Sequence, residues 1–232
     1  MNINGIQKMT LIDFPGKVAC TLFAGGCNFR CPFCHNAGLV INPGASESIS
    51  EDEIFDFLKK RINLLDGVCI TGGEPLLQKD IIRLTGEIKK LGYAVKIDTN
   101  GAFPERLKEL VKSGNIDYVA MDIKNAPLKY AQTVGVDDDF LPAVKESVDY
   151  LKSGVIGFEF RTTAVRQFHT PDDFDEMGKW IQSPHTKWYL QNFCDSGNII
   201  GVGLSGFERC ELEQFLDIMK KYVPNSELRE IR

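Results

Sequence analysis

Six short runs of apolar and β-branched residues, each followed by a stretch with helical periodicity, constrain the fold of this chain more than any other feature. The runs recur at intervals of roughly 25 to 50 residues, and each one ends in glycine or polar residues. This spacing is typical of βα units that are joined by right-handed crossovers. The predicted strands are residues 18–23, 67–71, 94–99, 118–123, 158–165 and 188–193.

Local capping signals predict helices between these strands. Residues 50–53, Ser-Glu-Asp-Glu, form a capping box, and an apolar stripe of Ile54, Leu58, Ile62 and Leu65 follows it. Other stripes predict helices that begin near Ile81, Pro104, Val144 and Thr170, and a last helix at about residues 208–222.

Six βα units fit either an open parallel sheet or an incomplete (β/α) barrel with its helices outside the strands. The chain has 232 residues, enough to bury a core, and it contains no Pro/Ser-rich linker and no low-complexity segment. We therefore expect a single domain over residues 1–232. It would comprise an N-terminal cap segment or small hairpin (1–16), six βα units (17–193) and a C-terminal loop and helix (194–232).

The charge and hydropathy patterns argue against two classes of partner. The formal net charge is −5 and there is no basic run, so nothing in the sequence indicates a nucleic-acid partner. Residues 1–16 lack the apolar core of a signal peptide, and no apolar stretch is long enough to span a membrane. We therefore expect a cytoplasmic protein, in which thiols stay reduced.

Three of the seven cysteines, Cys27, Cys31 and Cys34, lie within eight residues directly after the first strand. Their clustering in a reduced protein predicts a metal site, since thiolates are soft ligands for zinc or for iron–sulfur clusters. A zinc site would need a fourth ligand, for which His35 or Cys20 is available. A four-iron cluster normally takes four cysteines, so three would leave one iron open to a substrate. Cys20 and Cys69 lie in apolar runs and are expected to be buried.

Polar or charged residues follow the first two predicted strands, end the next two and lie on the last two. In parallel α/β folds, binding sites form at the carboxyl ends of the strands. A purely structural explanation of these polar residues would have to hold separately for each of the six strands. The candidate residues beyond the cysteine loop are Gly72, Gly73, Glu74, Asp98, Asn100, Asp122, Lys124, Arg161 and Gln191.

Two of these motifs together carry a family resemblance. The Cys-x3-Cys-x2-Cys spacing, with Phe33 just before the last cysteine, resembles the signature of radical S-adenosylmethionine (SAM) enzymes. The Gly-Gly-Glu-Pro sequence at 72–75 is similar to the second motif of that superfamily. The resemblance covers nearly the whole chain and implies a partial (β/α)6 barrel.

The resemblance also implies cofactors and roles. A [4Fe–4S] cluster would be held by Cys27, Cys31 and Cys34, and the amino and carboxylate groups of SAM would chelate the fourth iron. Phe33 would pack against adenine, and residues 72–74 would meet the methionyl amino group. His35 is counted among the cofactor-binding candidates.

The other strand ends each keep a second interpretation. Asp98 and Asn100 suit ribose hydroxyls or an ammonium group, or they form part of a plain Asn-Gly turn. Lys124 is a candidate partner of the methionyl carboxylate, or it forms an ion pair with Asp122, which shares its face of the strand. Arg161 could hold the same carboxylate or bridge to another strand.

Three further interpretations concern single residues. Gln191 would contact adenine or line the substrate opening. His169 and His185 lie in predicted loops and are expected to be ordinary surface residues.

The remaining question is what the radical would act on. Residues 10–23, 26–36, 121–124 and 190–191 resemble the activating proteins of anaerobic ribonucleoside-triphosphate reductase. The resemblance implies removal of hydrogen from a backbone glycine of that reductase, with flavodoxin or ferredoxin as electron donor. Only residues 37–50 separate the first strand's loop from its helix, so no auxiliary cluster is expected.

Three alternatives stay open at this point. The radical could act on another glycyl-radical enzyme, or on a small molecule such as a deazapurine-type heterocycle. The chain could instead be a non-catalytic zinc module. Residues 197–206, which are rich in glycine, could be a partner-facing loop or only a connection.

Overall fold

A computed structural model describes residues 1–44, 48–195 and 197–229. Parts of two predicted segments, 37–50 and 194–232, therefore lie outside the described residues. The chain groups into two compact units. The first consists of Met1–Asn28, Gly38–Thr99 and Phe103–Val119, and the second of Phe29–Ala37, Asn100–Ala102 and Ala120–Arg232. The single domain expected from the sequence stays a prediction.

The sheet of the first unit contains one strand that was not predicted. The N-terminal strand pairs antiparallel with the next one, so the segment expected as a cap segment or a small hairpin contributes to the sheet. The other strands pair in parallel, with Ala19 opposite Gly67 and Gly67 opposite Ala94. In sheet order the strands are β1 (Ile3–Thr10), β2 (Ala19–Ala24), β3 (Gly67–Gly72) and β4 (Ala94–Thr99).

The helices of the first unit follow the predicted capping signals. Ser50 and Glu53 form the capping box of the second helix. That helix ends at Lys59, however, and the chain continues in turns that include Asn63, which adopts a left-handed conformation with φ of 67°. Ile62 therefore lies beyond the helix and is 43% exposed, so its predicted place on the buried stripe was wrong. The helices are α1 (Ala37–Ile41), α2 (Glu51–Lys59), α3 (Ile81–Lys90) and α4 (Pro104–Lys112).

The second unit repeats the βα arrangement with parallel strands at its end. Residue Phe160 is opposite Trp188, and Tyr189 is opposite Glu227, in two parallel pairings. The strands, in sheet order, are β5 (Tyr118–Asp122), whose first two residues belong to the first unit, β6 (Gly157–Ala164), β7 (Trp188–Asn192) and β8 (Glu227–Arg229). The helices are α5 (Tyr130–Val134), α6 (Leu141–Lys152), α7 (Pro171–Ile181) and α8 (Arg209–Lys220).

Aromatic side chains form much of the core of the second unit. The rings of Phe174 and Phe215 stack with their centroids 4.4 Å apart, which packs α7 against α8. The fully buried Trp188 donates its indole N–H to the Thr162 hydroxyl at 2.9 Å. The polar end of this large ring is therefore satisfied inside the core.

The predicted fold class is confirmed: the structure is α/β with an open, mostly parallel sheet. All six predicted strands are present, each within about two residues of its expected bounds. Strands β1 and β8 and the short helices α1 and α5 were not predicted. No helix in the described ranges is long and apolar enough to cross a membrane.

Candidate functional site

The cysteine loop leaves strand β2 and is held by main-chain hydrogen bonds in both units. In the first unit, which contains Cys27, the Gly26 N–H donates to the Leu39 carbonyl at 2.8 Å. In the second unit, which contains Cys31 and Cys34, the Cys34 N–H donates to the Cys31 carbonyl at 3.0 Å. Cys31 is buried, the other two are half-buried, and all three carry thiols. The loop therefore presents three reduced sulfur donors on an ordered backbone.

Two other segments of the second unit bind the same loop. The Arg30 N–H donates to the Val134 carbonyl at the end of α5, at 2.9 Å. The Gly201 N–H donates to the Pro32 carbonyl at 2.7 Å, which ties the glycine-rich stretch 197–206 to the loop. That stretch thus has a structural contact with the predicted metal site, in addition to connecting β7 to α8.

His35 is also occupied by contacts with the segment after β7. Its ring stacks on Phe193 with centroids 5.4 Å apart, and its Nε2 lies 2.9 Å from the Cys194 carbonyl oxygen. These contacts hold the end of the cysteine loop in place. Its predicted role with a cofactor stays a prediction.

Charges of the second unit act on the two thiols that lie there. Burial raises the pKa of the Cys34 thiol, while the positive charges of Lys124 and Arg30 act to lower it. Burial would lower the pKa of Lys124, but Asp122 and then Cys31 raise it above its ordinary value. Since metals bind the thiolate form, the positive charge of Lys124 favours ligation.

The Gly-Gly-Glu turn after β3 packs directly on the turn after β2. Gly72 has a φ of 110°, and a Cβ there would lie 2.5 Å from the Ala24 carbonyl oxygen. A Cβ at Gly73 would collide with the Gly26 carbonyl group. The Glu74 N–H then donates to the same carbonyl oxygen at 2.8 Å. The two glycines are therefore required by contact between two main chains, a reason that the sequence alone did not indicate.

The carboxylate of Glu74 is fully buried in the first unit. Its Oε1 accepts hydrogen bonds from the Thr99 hydroxyl at 2.9 Å and from the Leu76 N–H at 3.0 Å. The second contact makes it the cap of the short 3-10 turn Pro75–Leu77. Glu74 is thus held in one orientation by β4 and by its own turn.

Strand β4 carries a buried ionic group that the sequence analysis missed. Lys96 is fully buried, its Nζ forms an ion pair with Asp98, and the Cys69 sulfur lies 3.6 Å from that same Nζ. The Cys69 thiol is also 3.6 Å from the Asp98 carboxylate, and its expected burial is confirmed. The sequence could have indicated this ion pair, because Lys96 and Asp98 are two residues apart on a strand and so share a face.

Asp122, Lys124 and Arg161 form a charged trio in the second unit. Lys124 Nζ and Arg161 Nε each lie 3.0 Å from a different oxygen of the Asp122 carboxylate. Burial would raise the pKa of Asp122, but the two cations lower it to about 2. The sequence left open an ion pair of Lys124 with Asp122 and a bridge from Arg161 to another strand. Both contacts are present. Two cations around one carboxylate give the trio a formal charge of +1.

His169 is buried, so its expected place on the surface was wrong. Its Nε2 lies 2.9 Å from the Lys124 carbonyl oxygen, and its Nδ1 lies 3.1 Å from the Val165 nitrogen. Burial lowers the pKa of His169, and a neutral ring satisfies both contacts by donating from Nε2. The loop that carries His169 folds back onto β6, which a pattern of polar loop residues does not reveal. His185 is exposed, as expected.

The remaining candidates are placed as follows. Phe33 is buried and its ring packs on Phe168 at 5.6 Å. Asn100 is buried, and its side-chain oxygen accepts from the Ala102 N–H at 3.0 Å, which fits the plain turn interpretation. Gln191 is half-buried near the end of β7.

The donor chemistry of this loop fits an iron–sulfur cluster. Within the described ranges, no three His, Cys, Asp or Glu side chains are arranged to hold a metal ion. The thiolates of a cluster bind separate irons rather than one ion.

Comparisons with known proteins agree with these motifs. A family profile described as the radical SAM superfamily matches residues 21–181. A protein of Methanocaldococcus jannaschii, named as a candidate glycyl-radical enzyme activating enzyme, is 33% identical to this chain. That similarity extends over 238 residues and covers 99% of this chain and 96% of the relative.

Solved structures support the fold. A domain of pyruvate-formate lyase-activating enzyme from Bacteroides vulgatus superposes with a TM-score of 0.57 at 16% identity, covering 70% of this chain and 98% of that domain. Streptococcus suis SuiB, determined with bound SAM, superposes with a TM-score of 0.68 at 14% identity. The match covers 89% of this chain and 48% of SuiB. At these identities the likeness concerns the fold alone.

Proposed function

The chain belongs to the radical SAM superfamily and to its group of glycyl-radical enzyme activating enzymes, and we propose that its target is anaerobic ribonucleoside-triphosphate reductase. Enzymes of this superfamily use a [4Fe–4S] cluster and SAM, the two cofactors expected from the sequence. The full-length similarity to an activating enzyme carries the assignment of a glycyl-radical partner. The choice of the reductase rests on the sequence resemblance at 10–23, 26–36, 121–124 and 190–191.

In this proposal the cluster is held by Cys27, Cys31 and Cys34. When bound, the reduced cluster and SAM supply reductive cleavage of the sulfonium, which yields methionine and a radical able to abstract hydrogen from glycine. The protein's part is to hold the three thiolates and keep water away from the radical. Lys124, whose positive charge acts on Cys31 and Cys34, favours the thiolate forms.

The sequence resemblance assigns two sets of residues to the methionyl end of SAM, one set in each unit. Residues Gly72, Gly73 and Glu74 offer main-chain oxygens and a buried carboxylate for the amino group. The trio of Asp122, Lys124 and Arg161 supports binding of the methionyl carboxylate, because its formal charge of +1 attracts an anion. Arg161, whose Nε lies 3.0 Å from the Asp122 carboxylate, carries a guanidinium group, and such groups commonly bind carboxylates through two nitrogens.

The nucleoside end would meet the other candidates. Asp98 and Asn100 lie at the end of β4 and offer acceptors for ribose hydroxyls. Phe33 supplies an aromatic ring for adenine, and Gln191 a side-chain amide for adenine or for the opening. His35, at the end of the cysteine loop, stays a candidate for contact with the cofactors.

The experiment is an anaerobic incubation of the reconstituted enzyme with SAM, dithionite and the reductase. We expect a glycyl-radical doublet in the electron-spin resonance spectrum of the reductase, and none when Cys31 is replaced by serine. Cys210→Ser is the matched control, because Cys210 is exposed and lies on α8, and it should leave the signal unchanged.

Other outcomes identify the alternatives. A doublet on a different glycyl-radical enzyme, and not on the reductase, would contradict the proposed target but would still support an activating enzyme. Turnover of a small heterocycle without any protein partner would contradict the activase. Replacing dithionite with flavodoxin or ferredoxin tests the proposed electron donors.

A further inference from the structure

The turn between β6 and α7, residues 165–169, ends in a buried histidine whose two ring nitrogens both contact main chain. His169 Nε2 lies 2.9 Å from the Lys124 carbonyl oxygen, and its Nδ1 lies 3.1 Å from the Val165 nitrogen. Burial lowers the pKa of His169, so the ring is neutral and carries one hydrogen. A carbonyl oxygen only accepts, so that hydrogen is on Nε2 and Nδ1 accepts the Val165 N–H. His169 therefore joins the chain after β5 to this turn.

A second side chain joins the same two segments. Asn125, which is fully buried, donates from its amide to the Phe168 carbonyl at 3.0 Å and to the Thr133 hydroxyl on α5 at 2.9 Å. Consecutive residues after β5 are therefore bound to the turn, Lys124 through its carbonyl oxygen and Asn125 through its side chain. This double attachment restricts the rotation of the main chain at Lys124.

Neighbouring segments of the second unit hold the turn itself. The Gln167 side chain donates to the Gly203 carbonyl at 3.0 Å and accepts the Ser205 N–H at 3.1 Å. The Phe168 ring packs on Phe33, the aromatic residue of the cysteine loop, with centroids 5.6 Å apart. The turn is thus a fixed support that contacts both the cysteine loop and the chain after β5.

The side chain of Lys124 is the group that this support directs. Its Nζ lies 3.0 Å from the Asp122 carboxylate, which places the charged end. A lysine side chain has a flexible four-carbon stem, so its position depends on both of its ends. Asp122 holds the ammonium group, and the hydrogen bond from His169 holds the main chain from which the stem begins.

We propose that His169 positions Lys124 for binding the methionyl carboxylate of SAM. This inference rests on the proposed function, in which Lys124 meets that carboxylate. His169 is a positioning residue and not a catalytic one, because it contacts the Lys124 main chain and not the cofactor. A lysine that is held in place before SAM binds loses less conformational entropy on binding. Loss of the His169 hydrogen bond should therefore lower the affinity for SAM.

Two substitutions separate the roles of the two ring nitrogens. Asparagine has its amide near the place of Nδ1, so His169→Asn can keep the Val165 contact but loses the donor to Lys124. Glutamine is one carbon longer and places its amide nitrogen near the position of Nε2, so His169→Gln keeps the donor. We expect His169→Asn to raise the dissociation constant of SAM about tenfold, which corresponds to the loss of one hydrogen bond, and His169→Gln to recover most of the affinity. Equilibrium dialysis of SAM against cluster-loaded protein measures both constants.

Thr186→Val is the matched control for stability. Thr186 is also buried in the second unit, and its hydroxyl donates to the Ile181 carbonyl at 2.9 Å. The variant loses a buried hydrogen bond that involves neither Lys124 nor the turn, so it should keep the wild-type affinity for SAM.

A second ligand tests whether the methionyl carboxylate is the group concerned. Decarboxylated SAM lacks the group that Lys124 would meet, so it should bind equally to wild-type protein and to His169→Asn. A merely structural role of His169 would weaken the binding of both ligands alike.

A double-mutant cycle tests whether the effect passes through Lys124. We expect Lys124→Met to weaken SAM binding by itself, and His169→Asn to add less than about twofold in the Lys124→Met background. A tenfold loss in both backgrounds would overturn the inference, and so would wild-type affinity in His169→Asn. His169→Phe, which keeps a ring and loses both contacts, replaces His169→Asn if that variant does not fold.

The outcomes separate this inference from the proposed function. If Lys124→Met binds SAM as tightly as the wild-type protein does, the proposed role of Lys124 fails, and the inference fails with it. If Lys124→Met loses affinity and His169→Asn does not, only the role of His169 fails. The reductase takes part in none of these measurements, so they do not depend on the proposed target.

Discussion

At the scale of single residues, the most demanding feature is the buried ion pair of Lys96 and Asp98. Taking a lysine entirely out of water has a large cost in free energy, which only a well-placed partner offsets. The pair also determines where the Asp98 carboxylate points, and Asp98 is a candidate for contact with SAM. Any loss of Lys96 should therefore affect stability first and cofactor binding second.

Lys96→Met tests this pair. We expect the free energy of unfolding of the anaerobic protein to fall by about 3–5 kcal/mol, because the buried Asp98 carboxylate loses its countercharge. Urea denaturation measures the change. Lys89→Met is the control, since Lys89 pairs with Asp117 at the surface. We expect this substitution to lower the free energy of unfolding by at most about 1 kcal/mol. If adding Asp98→Asn to Lys96→Met restores no stability, the pair is not the cause.

His169 makes stability depend on pH. Burial holds the pKa of His169 below the value of about 6.5 that it has when unfolded. Between these two pKa values the unfolded chain binds a proton that the folded protein does not, so stability falls as the pH is lowered through this range. The stability that His169 confers is therefore present above about pH 6.5 and lost below it.

We expect His169→Gln to reduce the loss of stability on going from about pH 7.5 to about pH 5.5. Denaturation midpoints at several pH values measure it. His185→Gln, at an exposed position, should keep the wild-type slope. The same slope in both variants would show that His169 is not the group responsible.

At the scale of elements, the sequence predicted what local patterns determine. Strands β2 to β7 were predictable because apolar and β-branched runs ended in polar residues, and α2 because Ser50 and Glu53 form a capping box. Strand β8 has three residues and owes its place to pairing with β7, which no local pattern records. His169 was missed for the same reason, since its burial depends on how its loop folds onto β6 and Lys124. The Lys96–Asp98 pair, by contrast, could have been read from the spacing of the two residues on β4.

The turns after β2 and β3 show how two elements constrain one motif. A side chain at Gly73 would displace the Gly26 main chain, from which the cysteine loop continues to Cys27. We expect Gly73→Ala to lower the free energy of unfolding by about 3 kcal/mol or more, the range of strongly disruptive substitutions. Gly44→Ala is the control, because Gly44 has open space around its Cα.

The same pair of variants separates stability from cofactor binding. If the glycines served only the approach of SAM, Gly73→Ala would keep its wild-type unfolding midpoint and lose only affinity for SAM. Equilibrium dialysis of SAM with the loaded protein, beside urea denaturation, distinguishes the two results.

At the scale of the whole molecule, each of the two units contains a described strand that lies outside the six predicted βα units. The N-terminal strand β1 pairs with β2, and the C-terminal strand β8 pairs with β7. These additions are not needed to supply the cysteine loop or the Gly-Gly-Glu turn. Their role is to cover the sheet edge and to satisfy buried groups near it.

The clearest such group is Glu159 on β6, which is fully buried and paired with Arg229 near the end of the chain. Two guanidinium nitrogens lie 3.1 and 3.3 Å from the two carboxylate oxygens, and the guanidinium lies 4.1 Å from the centre of the Tyr189 ring.

Arg229→Met removes the charge and leaves the buried carboxylate without this partner. We expect the free energy of unfolding to fall by about 3–5 kcal/mol, measured by urea denaturation. Arg209→Met, in an exposed pair with Glu213, should cost less than about 1 kcal/mol. Adding Glu159→Gln to Arg229→Met should restore much of the loss, and a loss that persists would instead assign the effect to the packing of β8 itself.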